Sequence, residues 1–459
     1  MSAPGGVAAS GDAAPAPGRA GLLRWRIAAL LLAPMTAVMT LDRAAMSIAA
    51  PVVQKELGLS LVDMSIILTA YFWTYALGQL PAGRLAELFG PRRVLFSTGI
   101  AWSLVMVATP LRATWGWLLG CRALLGAAQS ADWSSGIVAL RRWFPRGERA
   151  TGNSILLAGL YLGPIVSAPL TTWVIGRFGW HAMFQAYGVF GVLLALAWWW
   201  GFRDDPATHP RITTAEAAYI AAGRAAPHPE PAKRGLWLAG FRMPRFWLFG
   251  LQYFLLVLIQ SFYSTWLPTY LMKARGLSLQ AMGFYASLPW IAVIVAVYVA
   301  GSLCDRIQRR TGSIWFARVP VAIVGFLAGA GSTFAAAHAV SIASAIAWLC
   351  AAFAAVGFVQ VVVWSVTQDL GGEFTGVMSG WTNLWGAAAN VAGPVGVAAI
   401  VRVTGDWSAA LVATAIAAAC GSVLWLFLQP QRPLPWRASL AGDATLSPAV
   451  AVRSGEAQP

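Results

Sequence analysis

Four ionisable residues sit where charge is hard to accommodate. Asp42 and Arg43 fall within an apolar run over 25–50, and Arg122 and Asp132 within another over 115–139. A charged side chain deep in a bilayer costs roughly 2.5–3.5 kcal/mol on insertion scales, so each is expected to face a cavity or a partner and to carry function. Arg43 is the first candidate for gripping an anionic substrate, because a guanidinium fork takes a carboxylate through two parallel hydrogen bonds; the alternative is a structural pair with a nearby acid. Asp42 is the first candidate for a proton site. Burial disfavours a carboxylate's charged form and a neighbouring arginine favours it, so a conformational change that alters either balance loads and releases a proton. The alternative is a permanent salt bridge to Arg122 or Arg43. Gln129 follows Arg122 by nearly two helical turns and shares its face; its amide can bond the guanidinium but takes up no proton. Asp132 lies three residues further along the same run.

Other polar residues recur at helical spacing. Tyr71, Tyr75 and Gln79 form one stripe at i, i+4, i+8, with Tyr75 expected at substrate hydroxyls and packing as the alternative. The three asparagines are Asn153, Asn383 and Asn390. Asn383 is expected at the ligand and Asn390 as a bond between helices, since a buried amide in lipid needs a partner. Gln360, Trp364 and Thr367 or Gln368 recur in one run, and Gln260 and Tyr263 in another; they are read as cavity lining or, equally, as core. The cysteines form no CxxC pair and no cluster with histidine, so no metal site is expected. No catalytic pattern or cofactor requirement emerges: the chain reads as a protein that is not an enzyme.

The elements that must position these residues follow from composition. Of 459 residues, 58% are hydrophobic and 11% charged. Soluble domains carry about 25% charged residues, so lipid is the expected solvent. Twelve apolar runs are long enough to span, at 25–50, 60–81, 93–111, 115–139, 151–175, 181–202, 245–271, 281–303, 315–336, 341–367, 376–401 and 407–429. With no water to satisfy the backbone they must be helices. The predicted class is an all-α membrane protein of twelve transmembrane helices in two pseudo-symmetric six-helix bundles. Placing both termini in the cytoplasm puts 24 of the 32 Lys and Arg on the inner side and six outside, with Arg43 and Arg122 inside spans. That distribution, interleaved with apolar runs, explains the net charge of +15 without nucleic-acid binding. The expected organisation is a disordered N-terminal tail over 1–24, a six-helix bundle over 25–202, and a cytoplasmic loop over 203–244. A second bundle over 245–430 and a disordered tail over 431–459 complete it. Within the loop, Thr213 and Glu216 read as a capping box opening a short helix to Arg224, in what is otherwise a linker. A monomer in a bacterial inner membrane is expected, fitting arginine-rich usage and no Asn-x-Ser/Thr sites.

The halves repeat. Gly83 and Glu87, followed by Arg92 and Arg93, come after the second span. Gly301 and Asp305, followed by Arg309 and Arg310, come after the eighth, with glycine and acid both offset by 218 residues. These loops resemble the cytoplasmic signature loop of the major facilitator superfamily, with Glu87 where aspartate is usual. In such a loop the glycine lets helices approach, the acid pairs with basic residues of a neighbouring helix as a latch, and Arg93 and Arg309 hold the loop at the anionic inner face. More of the chain is similar to the superfamily's anion:cation symporter branch. Asp42-Arg43 leads to Ala49-Ala50-Pro51; Tyr71, Tyr75, Gln79, Pro81 and Gly83 follow. Arg122 precedes Gly126, and Trp143-Phe144-Pro145 precedes Glu148-Arg149-Ala150. Asp205-Pro206 precedes His209-Pro210, and the second half has Trp266-Leu267-Pro268 and Ser287-Leu288-Pro289-Trp290. The resemblance covers about 25–430. It implies a major facilitator fold with alternating access and a small organic anion, such as a sugar acid, as cargo. It points to Arg43 as the carboxylate contact and supports Tyr75 at the substrate. The branch usually carries glutamate where this chain has Gln129; Asp132 is expected to substitute for it or to face a polar cavity. The reading is proton-coupled uptake, with an uncoupled carrier or exchanger, or a non-transporting sensor, as rivals.

Overall fold

A computed structural model describes residues 21–224, 236–432, 434 and 436, which are helical with no strand. Of the tails expected over 1–24 and 431–459, residues 1–20, 433, 435 and 437–459 lie outside the described residues, as does the middle of the central loop. Leu23 and Arg24 already belong to the first helix, because Arg24 is buried against acids. α1 (Leu23–Leu57) contains one π turn over Ala28–Leu32 and ends at Gly58, whose φ of 63° reverses the chain. α2 (Leu61–Phe89) opens on a capping box between Ser60 and Asp63. α3 spans Pro91–Ala108. The fourth crossing is broken: α4 (Trp115–Gln129) and α5 (Asp132–Trp143) are separated by a turn at Ser130 and Ala131. α6 (Arg149–Gly201) holds the fifth and sixth crossings, joined at Gly179 with φ 78°. α7 (Thr214–Ala222) lies in the central segment. α8 (Pro244–Thr265) and α9 (Leu267–Lys273) make the seventh crossing. The remaining five are α10 (Leu279–Thr311), α11 (Ile314–His338), α12 (Ile342–Gly371), α13 (Thr375–Thr404) and α14 (Trp407–Leu424).

By length and composition, nine segments among the described residues could cross a membrane. One, Ile342–Thr404, contains both α12 and α13. The shortfall from twelve is informative. The fourth crossing is missing from these segments because its break leaves two short pieces.

Packing repeats between the halves. α1 and α3 lie against α6 and α2 against α4; correspondingly α8 lies against α13 and α10 against α12. The halves meet along α2–α13 and α6–α10. The hydrogen bonds and ion pairs joining them gather at the arginine-rich end, hereafter the basic end. There Asn153 Nδ2 donates to Ser365 Oγ (3.1 Å), Gln368 Nε2 to Asn153 Oδ1 (3.0 Å), and Arg149 pairs with Asp369 (3.3 Å).

The central segment is more than the expected linker. Thr213 Oγ1 accepts from the Glu216 backbone N–H, but Glu216 does not complete a capping box. Its carboxylate instead accepts from the backbone N–H groups of Leu23 and Arg24 and from Arg24 Nη1. Arg24 also donates to both oxygens of Glu148 at 2.6 and 3.0 Å. Tyr219 donates to Glu148 as well, its phenol pushed up to about 12 by burial and by that carboxylate. α7 is thus docked onto the start of α1 through buried charges. A start-of-helix N–H pair and a guanidinium are the donors that stabilise a buried carboxylate best.

Candidate functional site

The break after Gln129 and the stripe on α2 converge on Arg43. Tyr71 is fully buried and lies between two guanidinium groups, Arg43 at 5.2 Å and Arg122 at 5.0 Å from its ring centre. Its hydroxyl accepts from Arg43 Nε (2.9 Å) and donates to Gln129 Oε1 (2.8 Å). Tyr75 stacks on Tyr71 with centroids 5.6 Å apart and stands 4.8 Å from Arg43. A ring face between cations holds them by cation–π attraction, worth about 2 kcal/mol when desolvated. Arg43 Nη2, Arg122 Nε and Nη1, and Gln129 Nε2 are buried without a hydrogen-bond partner. The Arg122–Gln129 bond expected from their shared face is not made, because Tyr71 takes the amide oxygen.

Both acids lie on the crossings that carry the two arginines. Asp42 is buried, its carboxylate oxygens have no hydrogen-bond partner, and Arg122 is its charged neighbour. Asp132 is 3% exposed at the first turn of α5, and Arg43 is its charged neighbour. Neither acid makes a contact ion pair among the described residues, so the permanent salt bridge allowed for Asp42 is not formed.

The second half reaches this cluster through aromatics and amides. Trp364 packs on Trp133 (4.9 Å) and Tyr253 (5.3 Å), and donates to Gln360 Oε1 (3.0 Å), whose Nε2 donates to Gln260 Oε1 (2.9 Å). Asn383 Nδ2 is buried and unpaired. Gly83 touches Gly376, and Gly380 touches the backbone of Gln79. That antiparallel register brings Asn383 opposite Ala76, beside Tyr75. Two expected contacts are spent elsewhere. Tyr263 donates to the Leu349 carbonyl and stacks on Phe353, and Thr367, fully buried, donates to the Val363 carbonyl of its own helix. Each hydroxyl's one proton is thus committed to a backbone carbonyl, leaving only its lone pairs for a ligand. Asn390 likewise bonds the Gly386 carbonyl within its helix rather than another helix. Trp133 and Tyr253 escaped the sequence reading: in a chain with 24 Trp and 10 Tyr, residue type alone does not mark them.

The repeated loops lie where the halves touch, but their acids do not pair across to basic residues as expected. Glu87 accepts from the backbone N–H of Val377 (2.9 Å) at the start of α13, and otherwise bonds Arg84 of its own helix (2.8 Å). Asp305 accepts from the N–H groups of Ala150 (3.1 Å) and Thr151 (2.8 Å) at the start of α6, and from the Thr151 hydroxyl (2.6 Å). Each half's acid therefore caps a helix of the other half, where unpaired N–H groups and the positive dipole end await an anion. Glycine permits the approach: a Cβ on Gly83 would strike the Gly376 carbonyl, and one on Gly301 would strike Ser154 and the Ala150 carbonyl. Arg309 donates to the Gly147 carbonyl (2.9 Å). Arg93 is exposed; its neighbour Arg92 makes the bonds, to the Trp199 carbonyl and to Asp204.

Comparison with known proteins agrees with this geometry. Residues 32–394 match the sequence model of the Major Facilitator Superfamily. The chain is 30% identical over 429 residues to the Bacillus subtilis protein named "Probable galactarate/D-glucarate transporter GudP", covering 86% of this chain and 90% of that one. It is 28% identical to the "Probable sulfoacetate transporter SauU" of Cupriavidus necator, covering 85% and 90%. Among solved structures, the proton:xylose symporter XylE superposes with a TM-score of 0.70 at 14% identity, covering 89% of this chain and 96% of that one. The E. coli fucose:proton symporter FucP gives 0.66 at 11% identity, covering 86% and 97%. Twelve crossings in two matched halves, an internally repeated latch loop and these relatives lead to one assignment: the chain belongs to the Major Facilitator Superfamily, in its anion:cation symporter branch, a family of membrane transporters rather than enzymes.

Proposed function

We propose that this protein imports a small organic anion, a sugar acid or similar carboxylate, by proton symport with alternating access. The observation that carries the reading is the pair of arginines on Tyr71, with guanidinium N–H groups buried and without a hydrogen-bond partner. Such donors are left unpaired at a cost of about 1–3 kcal/mol or more each, which an arriving carboxylate would recover. Arg43 takes the carboxylate; Tyr75 and Asn383 meet its hydroxyls; Tyr71 fixes the guanidinium. Gln260 and Trp364 act one step back, through Gln360. Buried carboxylates on the first and fourth crossings, with Arg122 and Gln129 setting their surroundings, supply the proton site. The relatives whose names specify galactarate, D-glucarate and sulfoacetate support an anionic cargo.

The moving units are the halves 25–202 and 245–430. The basic end is cytoplasmic, with both termini there, in the inner membrane of a bacterium, and the protein works as a monomer. Glu87 and Asp305, helped by Gly83, Gly301 and Arg309, then hold the cytoplasmic side shut, so the described state faces outward. Thermal-shift screening of purified protein against a panel of carboxylates tests the cargo: stabilisation by a sugar acid is expected, and none by any carboxylate overturns the reading. Uptake into proteoliposomes tests the coupling, with accumulation following an imposed proton gradient. The second reading, an exchanger without protons, is motivated by Gln129, whose amide cannot titrate; uptake indifferent to the gradient would establish it.

A further inference from the structure

Asp132 stands at a position that no other carboxylate shares. It opens α5 directly after the break in the fourth crossing, one turn nearer the basic end than Gln129. It is 3% exposed and makes no ion pair among the described residues. The next residue, Trp133, makes the ring contact with Trp364 of the other half.

The charged surroundings are simple. α1 brings Arg43, which the Tyr71 hydroxyl joins to Gln129, one turn before Asp132. α2 brings the phenols of Tyr71 and Tyr75; its Glu87 is occupied by Arg84 and Val377. α3 brings Arg92, bonded to the Trp199 carbonyl, and Arg93, which is exposed, both at its basic end. α6 and α12 bring Arg149 and Asp369, which pair with each other at the basic end. α13 carries Arg402 in its last turn, at the opposite end. Within α5, Arg141 and Arg142 are about 13 Å or more along the helix. Asp42, also buried, precedes Arg43 in α1 and its oxygens have no hydrogen-bond partner.

Arg43 therefore serves two anions in turn. While it is free, the Asp132 carboxylate is its counter-charge. When a substrate carboxylate binds Arg43, that compensation is lost, and a buried carboxylate without a counter-charge is strongly unfavourable. Taking up a proton removes the penalty. We propose that Asp132 holds the coupling proton in place of the glutamate that Gln129 replaces. It is a carboxylate while Arg43 is free and a carboxylic acid while an anion occupies Arg43. One proton enters from outside with the anion and leaves on the other side when the anion departs, returning Asp132 to Arg43. This rests on the reading of Arg43 as the anion site.

The test measures D-glucarate affinity against pH on reconstituted full-length protein. Linkage predicts that wild-type affinity weakens by up to about tenfold per pH unit on the alkaline side. Asp132→Asn should flatten that dependence and abolish gradient-driven accumulation, and adding Gln129→Glu to it should restore a slope. Asp132→Asn that binds D-glucarate with the wild-type slope overturns the coupling assignment and leaves the anion reading standing. Wild-type protein that binds no D-glucarate at any pH overturns both. Should Asp132→Asn fail to insert, Asp132→Glu serves: a displaced pH profile supports the assignment, and an unmoved one overturns it.

Discussion

Arg43 gains its orientation from Tyr71, not from an acid, and this shapes what substitution should do. Its Nε is spent on the Tyr71 hydroxyl, leaving Nη2 buried without a hydrogen-bond partner. Lysine keeps the charge, but its three donors sit on one nitrogen and cannot bond Tyr71 at one point of a planar fork while presenting another point to a carboxylate. Arg43→Lys should therefore still insert while losing at least about tenfold in uptake, as expected for one charge-assisted hydrogen bond; wild-type uptake would remove Arg43 from the site. Tyr71→Phe tests the hydroxyl, leaving both Arg43 Nε and Gln129 Oε1 without their bonds. Weaker substrate binding, by about tenfold, and a lower melting temperature should appear together; a change in melting alone would make Tyr71 purely structural. At this scale much was legible in advance. Asp42, Arg43, Arg122 and Asp132 stand out because charge in an apolar run is rare. That Tyr71 joins Arg43 to Gln129 was not legible, because it depends on how α1, α2 and α4 are rotated about their axes, and helical spacing within one span carries no such information.

For the elements, apolar length located most crossings, but nothing in it marked the break between α4 and α5. The 218-residue repeat marked Glu87 and Asp305, but their partners turned out to be backbone N–H groups at the starts of α13 and α6. Every helix start has such donors, so sequence cannot single one out. The chemistry predicts how the latches respond. Asp305→Asn keeps shape but gives up the charge and one acceptor, weakening charge-assisted bonds worth about 1.5–3 kcal/mol each. Glu87→Gln should do the same more mildly, since Glu87 makes fewer bonds across the interface. Hydrogen exchange at the first turn of α6 should accelerate in Asp305→Asn, and that of α13 in Glu87→Gln. Unchanged protection in both would mean that the capping bonds do not hold the basic end closed.

Across the whole molecule, the arginine distribution and the repeat were enough to lay out two matched halves, whereas the docking of α7 was invisible. Glu216, Glu148 and Arg24 come from distant parts of the chain, and each looks locally like an ordinary charge near a span end. Their meeting ties the start of α1, the connection between the fourth and fifth crossings and the central segment into one body on the first half. Arg24 is 1% exposed and serves both carboxylates at once. Removing it would leave two buried acids facing each other with only backbone and phenolic donors, and breaking a buried pair in this way costs about 3–5 kcal/mol. Arg24→Met should therefore lower the melting temperature of the purified protein sharply. Adding Glu148→Gln and Glu216→Gln should recover most of the loss, because removing all three charges also removes their desolvation penalty. The comparison separates electrostatics from packing: if the triple variant melts as low as Arg24→Met, the arginine's stem and not its charge is what holds α7 in place, and if Arg24→Met melts like the wild type, α7 is held by neither.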